Sequence, residues 1–319
     1  MSPLPLIAEA MLSVVLVIGV GALIRRVGWL TTAADTSLLA LVVNLLTPCL
    51  ILDKVMGSSA LERASTVLLA PAAGIVLVSV CILIALLVGR LFKVGAPPVQ
   101  RSFALAAGLQ NYGYFALPLA LSLFGGEGNE TVAVLFVHNL GVEVALWTLG
   151  IVVLSGTPPR DALKRLINAP SCAIVVALIL NSTVGRTGVP AVLLKSVSLI
   201  GSAAIPVGLL LTGATMVDHA RGVFGPGGLR TAVLGCILRL GVLPLVYCLA
   251  LWTLPASVEL QRVFVLQAAM PAAVSPIILS KHYGGDSLTA LRVVFATSLV
   301  ALLTIPIWIH FGLKWVSAP

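Results

Sequence analysis

Amide, hydroxyl, glycine and proline residues interrupt two otherwise apolar stretches of the chain. They are Gly108-Leu-Gln-Asn-Tyr-Gly-Tyr-Phe-Ala-Leu-Pro118 and Gln267-Ala-Ala-Met-Pro-Ala-Ala-Val-Ser-Pro276. A proline ring removes an amide donor and clashes with the carbonyl four residues earlier, so Pro118 works against Tyr114, Pro271 against Gln267 and Pro276 against Ala272. Such groups bind; they do not make or break bonds. Loosened carbonyls can hold a cation or water, and the N-termini of half-helices attract an anion. The candidate binding residues are Gln110, Asn111, Tyr112, Gly113 and Pro118 in the first stretch, and Gln267, Pro271, Ser275 and Pro276 in the second. The plainer alternative is a pair of proline-kinked helices with no ligand, since proline is common in membrane-spanning helices.

A second chemical feature is Glu143, set deep in the apolar run Phe136-Val-His-Asn-Leu-Gly-Val-Glu-Val. A carboxylate there is costly unless protonated, paired or coordinated. Asn139, four residues earlier, shares its helix face, and His138 does so only in part. Glu143, with Asn139 and His138, is therefore a candidate for ion coupling, as a proton carrier or part of a sodium site. A structural group answering the buried-span Arg239 is the competing reading. Arg239 either attracts an anion or pairs to hold helices together, and the second reading is favoured. Coupling to H+ or Na+ stays open, including a sodium site near Gln110 and Gln267.

Other chemistry is excluded by motif. The chain has no nucleophile triad, HExxH, CxxC, P-loop or dinucleotide fingerprint, so neither an enzyme nor an organic cofactor is expected. The run Gly125-Gly-Glu-Gly128 lacks the Lys and Ser/Thr of a phosphate loop. Cys49, Cys81, Cys172, Cys236 and Cys248 all fall in predicted spans without metal-ligand spacing, which predicts packing and no metal centre.

The elements that must carry these residues follow from composition. Hydrophobic residues make up 59% and charged residues 9%, with a mean hydropathy of +1.13. Soluble domains carry about 25% charged residues, so the class is an all-α polytopic membrane protein; β-barrel strands would be shorter and alternating. About ten helices are predicted, near 6–24, 36–56, 66–91, 99–124, 131–154, 170–187, 190–216, 229–253, 259–281 and 287–313. Trp147, Trp252, Trp308 and Trp315 are read as interfacial belt residues, and His219, His282 and His310 as interfacial too. The partner is then the lipid bilayer and not nucleic acid, although the net charge is +8.

Lys and Arg set the orientation. One set of predicted loops carries Arg25, Arg26, Arg90, Lys93, Arg101, Arg160, Lys164, Arg165, Arg221, Arg230, Lys281 and Arg292. The other carries Lys54, Arg63, Arg186, Lys195, Arg262 and Lys314. The richer set belongs inside, which places both termini outside a cell (inner) membrane.

The halves also echo each other. Pro48 and Pro206 are separated by the same interval as Pro118 and Pro276. A repeat of five helices must insert upside-down, giving a 5+5 inverted repeat: residues 1–156, a cytoplasmic linker 157–169, and 170–319.

On these residues the chain resembles the auxin efflux carrier superfamily, which includes plant auxin exporters and bacterial carriers of organic acids. The resemblance rests on Asn111-x6-Pro118, on Met270-Pro-Ala-Ala-Val-Ser-Pro-Ile-Ile-Leu-Ser-Lys-His-Tyr-Gly-Gly-Asp286, on Gly21-Ala-Leu-Ile-Arg-Arg-Val-Gly-Trp-Leu30 and on Asn44-Leu-Leu-Thr-Pro-Cys-Leu50. It implies a scaffold domain and a transport domain, with broken helices 4 and 9 crossing at the substrate site. It further implies an elevator-type carrier of a small carboxylate held by Asn111 and the Pro118 break, with Pro271 to Pro276 opposite. A homodimer is an open expectation. The sequence departs from the pattern at His282, where many relatives carry an acid. Gln110 to Gly113 is similar to the fourth helix of bile-acid sodium symporters, so sodium-coupled symport of a bulkier carboxylate stays an alternative. So does a sensor or channel that does not cycle.

Overall fold

A computed structural model of the protein describes residues 4–124, 130–156, 163–219 and 228–316. Among these residues there is no β-strand beyond one isolated bridge. In chain order the helices are α1 (Leu4–Arg26), α2 (Thr32–Val55), α3 (Ala64–Leu91), α4 (Pro97–Gly108), α5 (Ala116–Phe124), α6 (Glu130–Ser155), α7 (Ala169–Thr183), α8 (Ala191–Asp218), α9 (Gly228–Thr253), α10 (Val258–Ala269), α11 (Ser275–His282) and α12 (Ser287–Val316). Seven of them, α1, α2, α3, α6, α8, α9 and α12, are long and apolar enough to cross a membrane. The stretches predicted at 99–124 and 259–281 are each split in two, α4 with α5 and α10 with α11. The protein is an all-α polytopic membrane protein.

Prolines shape the long helices near the middle of the molecule. In α2 the turn Val42–Leu46 is widened, and Pro48 follows it, clashing with the carbonyl of Asn44 inside that turn. α8 is interrupted at Ala203, just before Pro206. α9 widens over Ile237–Val242 ahead of Pro244, and the carbonyl of Leu240 that Pro244 displaces accepts the Trp308 indole N–H at 2.8 Å.

The helices pack as two groups. α1 lies along α8, and the C-terminal part of α2 packs on α7 and the start of α8. In the other group α3 packs on α4 and α6, while α12 packs on α4, α9 and α10. Lipid tails are as apolar as these side chains, so close van der Waals contact must hold the helices together. Two crossings achieve it with glycine. A Cβ on Gly213 of α8 would lie 1.9 Å from the Ile18 carbonyl oxygen of α1, and one on Gly141 of α6 would lie 1.9 Å from that of Pro71 in α3. At one end, the loop after α2 is clamped by side chains of three other segments. Arg186 meets Asp53 at 3.2 Å, Asn181 accepts from Gly57 N–H at 2.6 Å, and Glu130 accepts from the N–H groups of Ser59 and Ala60 at 3.0 and 2.9 Å.

Candidate substrate site at the crossed helix breaks

α4 stops at Gly108 and α5 starts at Ala116; α10 stops at Ala269 and α11 starts at Ser275. The two extended links cross as a single antiparallel bridge, Gln110 opposite Ala272. The Asn111 N–H donates to the Pro271 carbonyl at 2.7 Å, and the Ala273 N–H to the Leu109 carbonyl at 2.9 Å. Each break thereby satisfies backbone groups of the other, which hydrocarbon could not do. The Ala272 N–H finds Thr297 Oγ1 of α12 at 3.2 Å. Asn111 Oδ1 accepts from Tyr114 N–H at 3.1 Å and so turns the chain into α5. Pro118 does not sit at the break itself. It is the third residue of α5, in a first turn where a missing donor costs little, and Pro276 is likewise the second residue of α11.

Beside the crossing lies a cavity of about 680 Å³. Its walls are Asn111 to Tyr114, Leu117 and Pro118; Ala273, Val274 and Ser275; Val42, Val43, Thr47 and Ile51 of α2; Phe136, Asn139, Glu143 and Trp147 of α6; and Ala204 and Ile205 of α8. Lys164, Arg165, Ile167 and Asn168, with Pro170, Ser171 and Ile174, close the circle from the segment leading into α7. The size and the mostly apolar lining with a few convergent polar groups suit a small organic molecule. The first turns of α5 and α11 both border it, so two positive helix ends meet one space.

Glu143 is half-buried in this wall with both oxygens engaged. The Tyr112 hydroxyl donates to Oε1, and Trp147 Nε1 donates to Oε2 at 2.8 Å. Arg165 stacks over the Trp147 ring, its Cζ 5.5 Å from the centroid. In the other direction, Asn139 Nδ2 donates to the Tyr112 carbonyl at 3.1 Å, and Asn139 Oδ1 accepts from Gln267 Nε2 at 2.8 Å. One network thus runs from the cations at the mouth to the crossing.

The candidates from sequence divide by position. Asn111, Tyr112, Gly113, Pro118, Ser275, Asn139 and Glu143 line the cavity. Gln110, Gln267, Pro271 and Pro276 are buried at the crossing without lining it. His138 does not line the cavity: it is fully buried against Phe264, ring centroids 6.2 Å apart. Pro48 and Pro206 shape α2 and α8, while their neighbours Thr47 and Ile205 reach the cavity. The pairing of Glu143 with Arg239 does not form. Glu143 is held by Tyr112 and Trp147, and Arg239 donates to the carbonyls of Met270 and Gln267. Gly125 to Gly128, Arg160, Arg221 and the His219 side chain lie outside the described residues.

Three site residues escaped sequence reasoning. Trp147 was expected at the interface, although its spacing of four from Glu143 puts both on one helix face. Lys164 and Arg165 read from the sequence only as loop cations, and nothing local says that they line a cavity.

A family described as "Membrane transport protein" matches residues 6–162 and 159–309. The chain is 25% identical over 308 residues to a protein of Methanothermobacter thermautotrophicus described as an uncharacterized transporter, covering 94% of this chain and 96% of that one. It is also 25% identical over 215 residues to an uncharacterized transporter of Methanocaldococcus jannaschii, covering 64% of this chain and 66% of the other.

Proposed function

The chain belongs to the membrane transport protein family, the auxin efflux carrier family that its motifs resemble, and we propose that it is a secondary carrier of a small organic carboxylate. The observation that carries this reading is the convergence on one cavity of two helix N-termini, the Asn111 amide and the Lys164–Arg165 mouth. In this reading the substrate carboxylate lies against the first turns of α5 and α11, within reach of Asn111 and the Ser275 hydroxyl. Its apolar body packs on Val42, Val43, Ile51, Leu117 and Phe136. Lys164 and Arg165 raise the local concentration of anions before binding.

Glu143 sets the condition for loading. A substrate carboxylate brought within about 4 Å of an ionised Glu143 would meet roughly 4 kcal/mol of repulsion at the effective dielectric of a protein interior. Loading of the anion therefore calls for a neutralising cation beside it, and in this reading that cation is a proton carried together with the substrate. Movement is by the elevator displacement expected of the fold. The group of α3 to α6 and α9 to α12 carries the crossing, and α1, α2, α7 and α8 form the scaffold. The two groups combine elements of both halves, residues 1–156 and 170–319, as an inverted repeat requires. Residues 164–171 face the cytoplasm and both termini lie outside, in a cell membrane.

The test is counterflow in proteoliposomes preloaded with unlabelled mono- or dicarboxylate. Saturable uptake of the labelled acid, faster at lower pH, is the expected result. A protein that exchanges no carboxylate of either class is not this carrier.

A further inference from the structure

Arg239 is the largest fully buried side chain among the described residues, with 0% exposure, yet it has no carboxylate partner. It sits on the widened turn of α9, and it reaches the C-terminal end of α10. There its Nε donates to the Met270 carbonyl at 3.0 Å and its Nη2 to the Gln267 carbonyl at 3.1 Å. These carbonyls have a particular origin. Pro271 cannot donate to Gln267, whose carbonyl keeps only a long bond from the Met270 N–H at 3.4 Å, and α10 ends two residues later, so the last carbonyls of the half-helix are open to a further donor. They are also the negative end of the α10 dipole. In discontinuous-helix carriers such an end, with its unwound carbonyls, is where a coupling cation is coordinated.

Here a guanidinium already stands on those oxygens. An apolar side chain would fill the same space at far lower desolvation cost, so the charge itself has a use. A sodium ion at the Oε1 atoms of Gln110 and Gln267, both buried and without hydrogen bonds, would lie next to a guanidinium bonded to the Gln267 backbone. Like charges so placed repel strongly in a low-dielectric interior. The residues at this end of the crossing therefore do not fit a sodium ion.

We propose that Arg239 is a tethered cation: its guanidinium does at the α10 C-terminus what a bound sodium ion does in a sodium-coupled carrier, and transport proceeds without sodium. The inference rests on the carrier reading and deepens it. It acts through the backbone of Gln267 and Met270, which it holds, and it does not line the cavity. Arg239 is in this sense a positioning residue.

Two measurements test it. In thermal unfolding of the purified protein, the wild type should melt at the same temperature in sodium chloride and in choline chloride of equal ionic strength. Arg239→Ala should melt several degrees lower and be restored in part, saturably, by low concentrations of guanidinium ion, with sodium ion giving a weaker effect. In counterflow, the wild type should run equally fast in sodium and choline. Arg239→Ala should lose most of its activity and regain some with guanidinium, and Arg239→Lys should retain more than Arg239→Met. A saturable stabilisation of the wild type by sodium would overturn the proposal, as would Arg239→Met transporting at the wild-type rate in choline. The wild-type comparison decides even if Arg239→Ala fails to fold. A wild type that exchanges no carboxylate would sink the carrier reading and leave the melting experiment to judge the tethered cation.

Discussion

The two helix breaks use the same residue types and do opposite things with them. The α4–α5 link turns its side chains toward the cavity: Asn111, Tyr112 and Gly113 line it, and the Tyr112 hydroxyl holds Glu143. The α10–α11 link turns its polar groups away. Gln267 and Met270 give their carbonyls to Arg239, the Gln267 amide goes to Asn139, and the Ala272 N–H goes to Thr297. Breaking a helix in a membrane exposes polar backbone whichever side it faces. What differs is whether the exposed groups are left for a ligand or consumed by the protein. One break is a receptor and the other a support, and only Ser275 and its neighbours bring the second break to the cavity.

That division can be broken by four substitutions. The largest effect belongs to Asn111→Ala. Losing a hydrogen bond to a charged group costs about 1.5–3 kcal/mol, roughly 10- to 100-fold in affinity, so ligand-induced thermal shifts with carboxylates should weaken by that factor. An unchanged affinity would remove Asn111 from the receptor. Thr297→Val, on the support side, leaves the Ala272 N–H unsatisfied. It should destabilise the protein by about 1–3 kcal/mol while the carboxylate affinity of the folded fraction stays put; a change in affinity as large as the change in stability would erase the distinction.

Glu143→Gln keeps the size of the side chain and one acceptor oxygen, enough for Tyr112 or Trp147 but not for both, and carries no charge. Counterflow by the variant should depend little on pH, whereas the wild type slows as pH rises. If the variant keeps the wild-type slope, the proton enters elsewhere. The smallest effect is that of Arg165→Ala. Loss of a cation–π contact and of steering amounts to about 0.5–1 kcal/mol, a few-fold rise in the half-saturating substrate concentration that disappears at high salt.

Legibility in the sequence followed whether a property was local. Composition alone forced a membrane class, because 9% charged residues cannot coat a soluble surface. The two breaks were legible because proline and glycine act on their own turn. Pro118 shows the limit, since its ring predicts a clash with the Tyr114 carbonyl but not that the helix ends at Gly108 and resumes at Ala116, in time to place proline in a first turn. Partners across space were not legible. Two lone opposite charges in spans, Glu143 and Arg239, invited pairing, yet each finds its own donors or acceptors because the helices face them differently. An aromatic such as Trp147 satisfies an interface and a cavity equally well, and only the fold decides which it meets.

The bridge between Gln110 and Ala272 also bears on how the protein is made. Its two sides are separated by about half of the chain, so the first break enters the membrane before its partner has been translated. At about 5–20 residues per second, that interval is on the order of ten seconds. Throughout it the Leu109 carbonyl and Asn111 N–H, later bonded to Ala273 and Pro271, have no partner from the finished crossing. The nascent half-protein is thus the species that the insertion machinery must shelter, and a chain truncated between the two breaks would keep that defect for good.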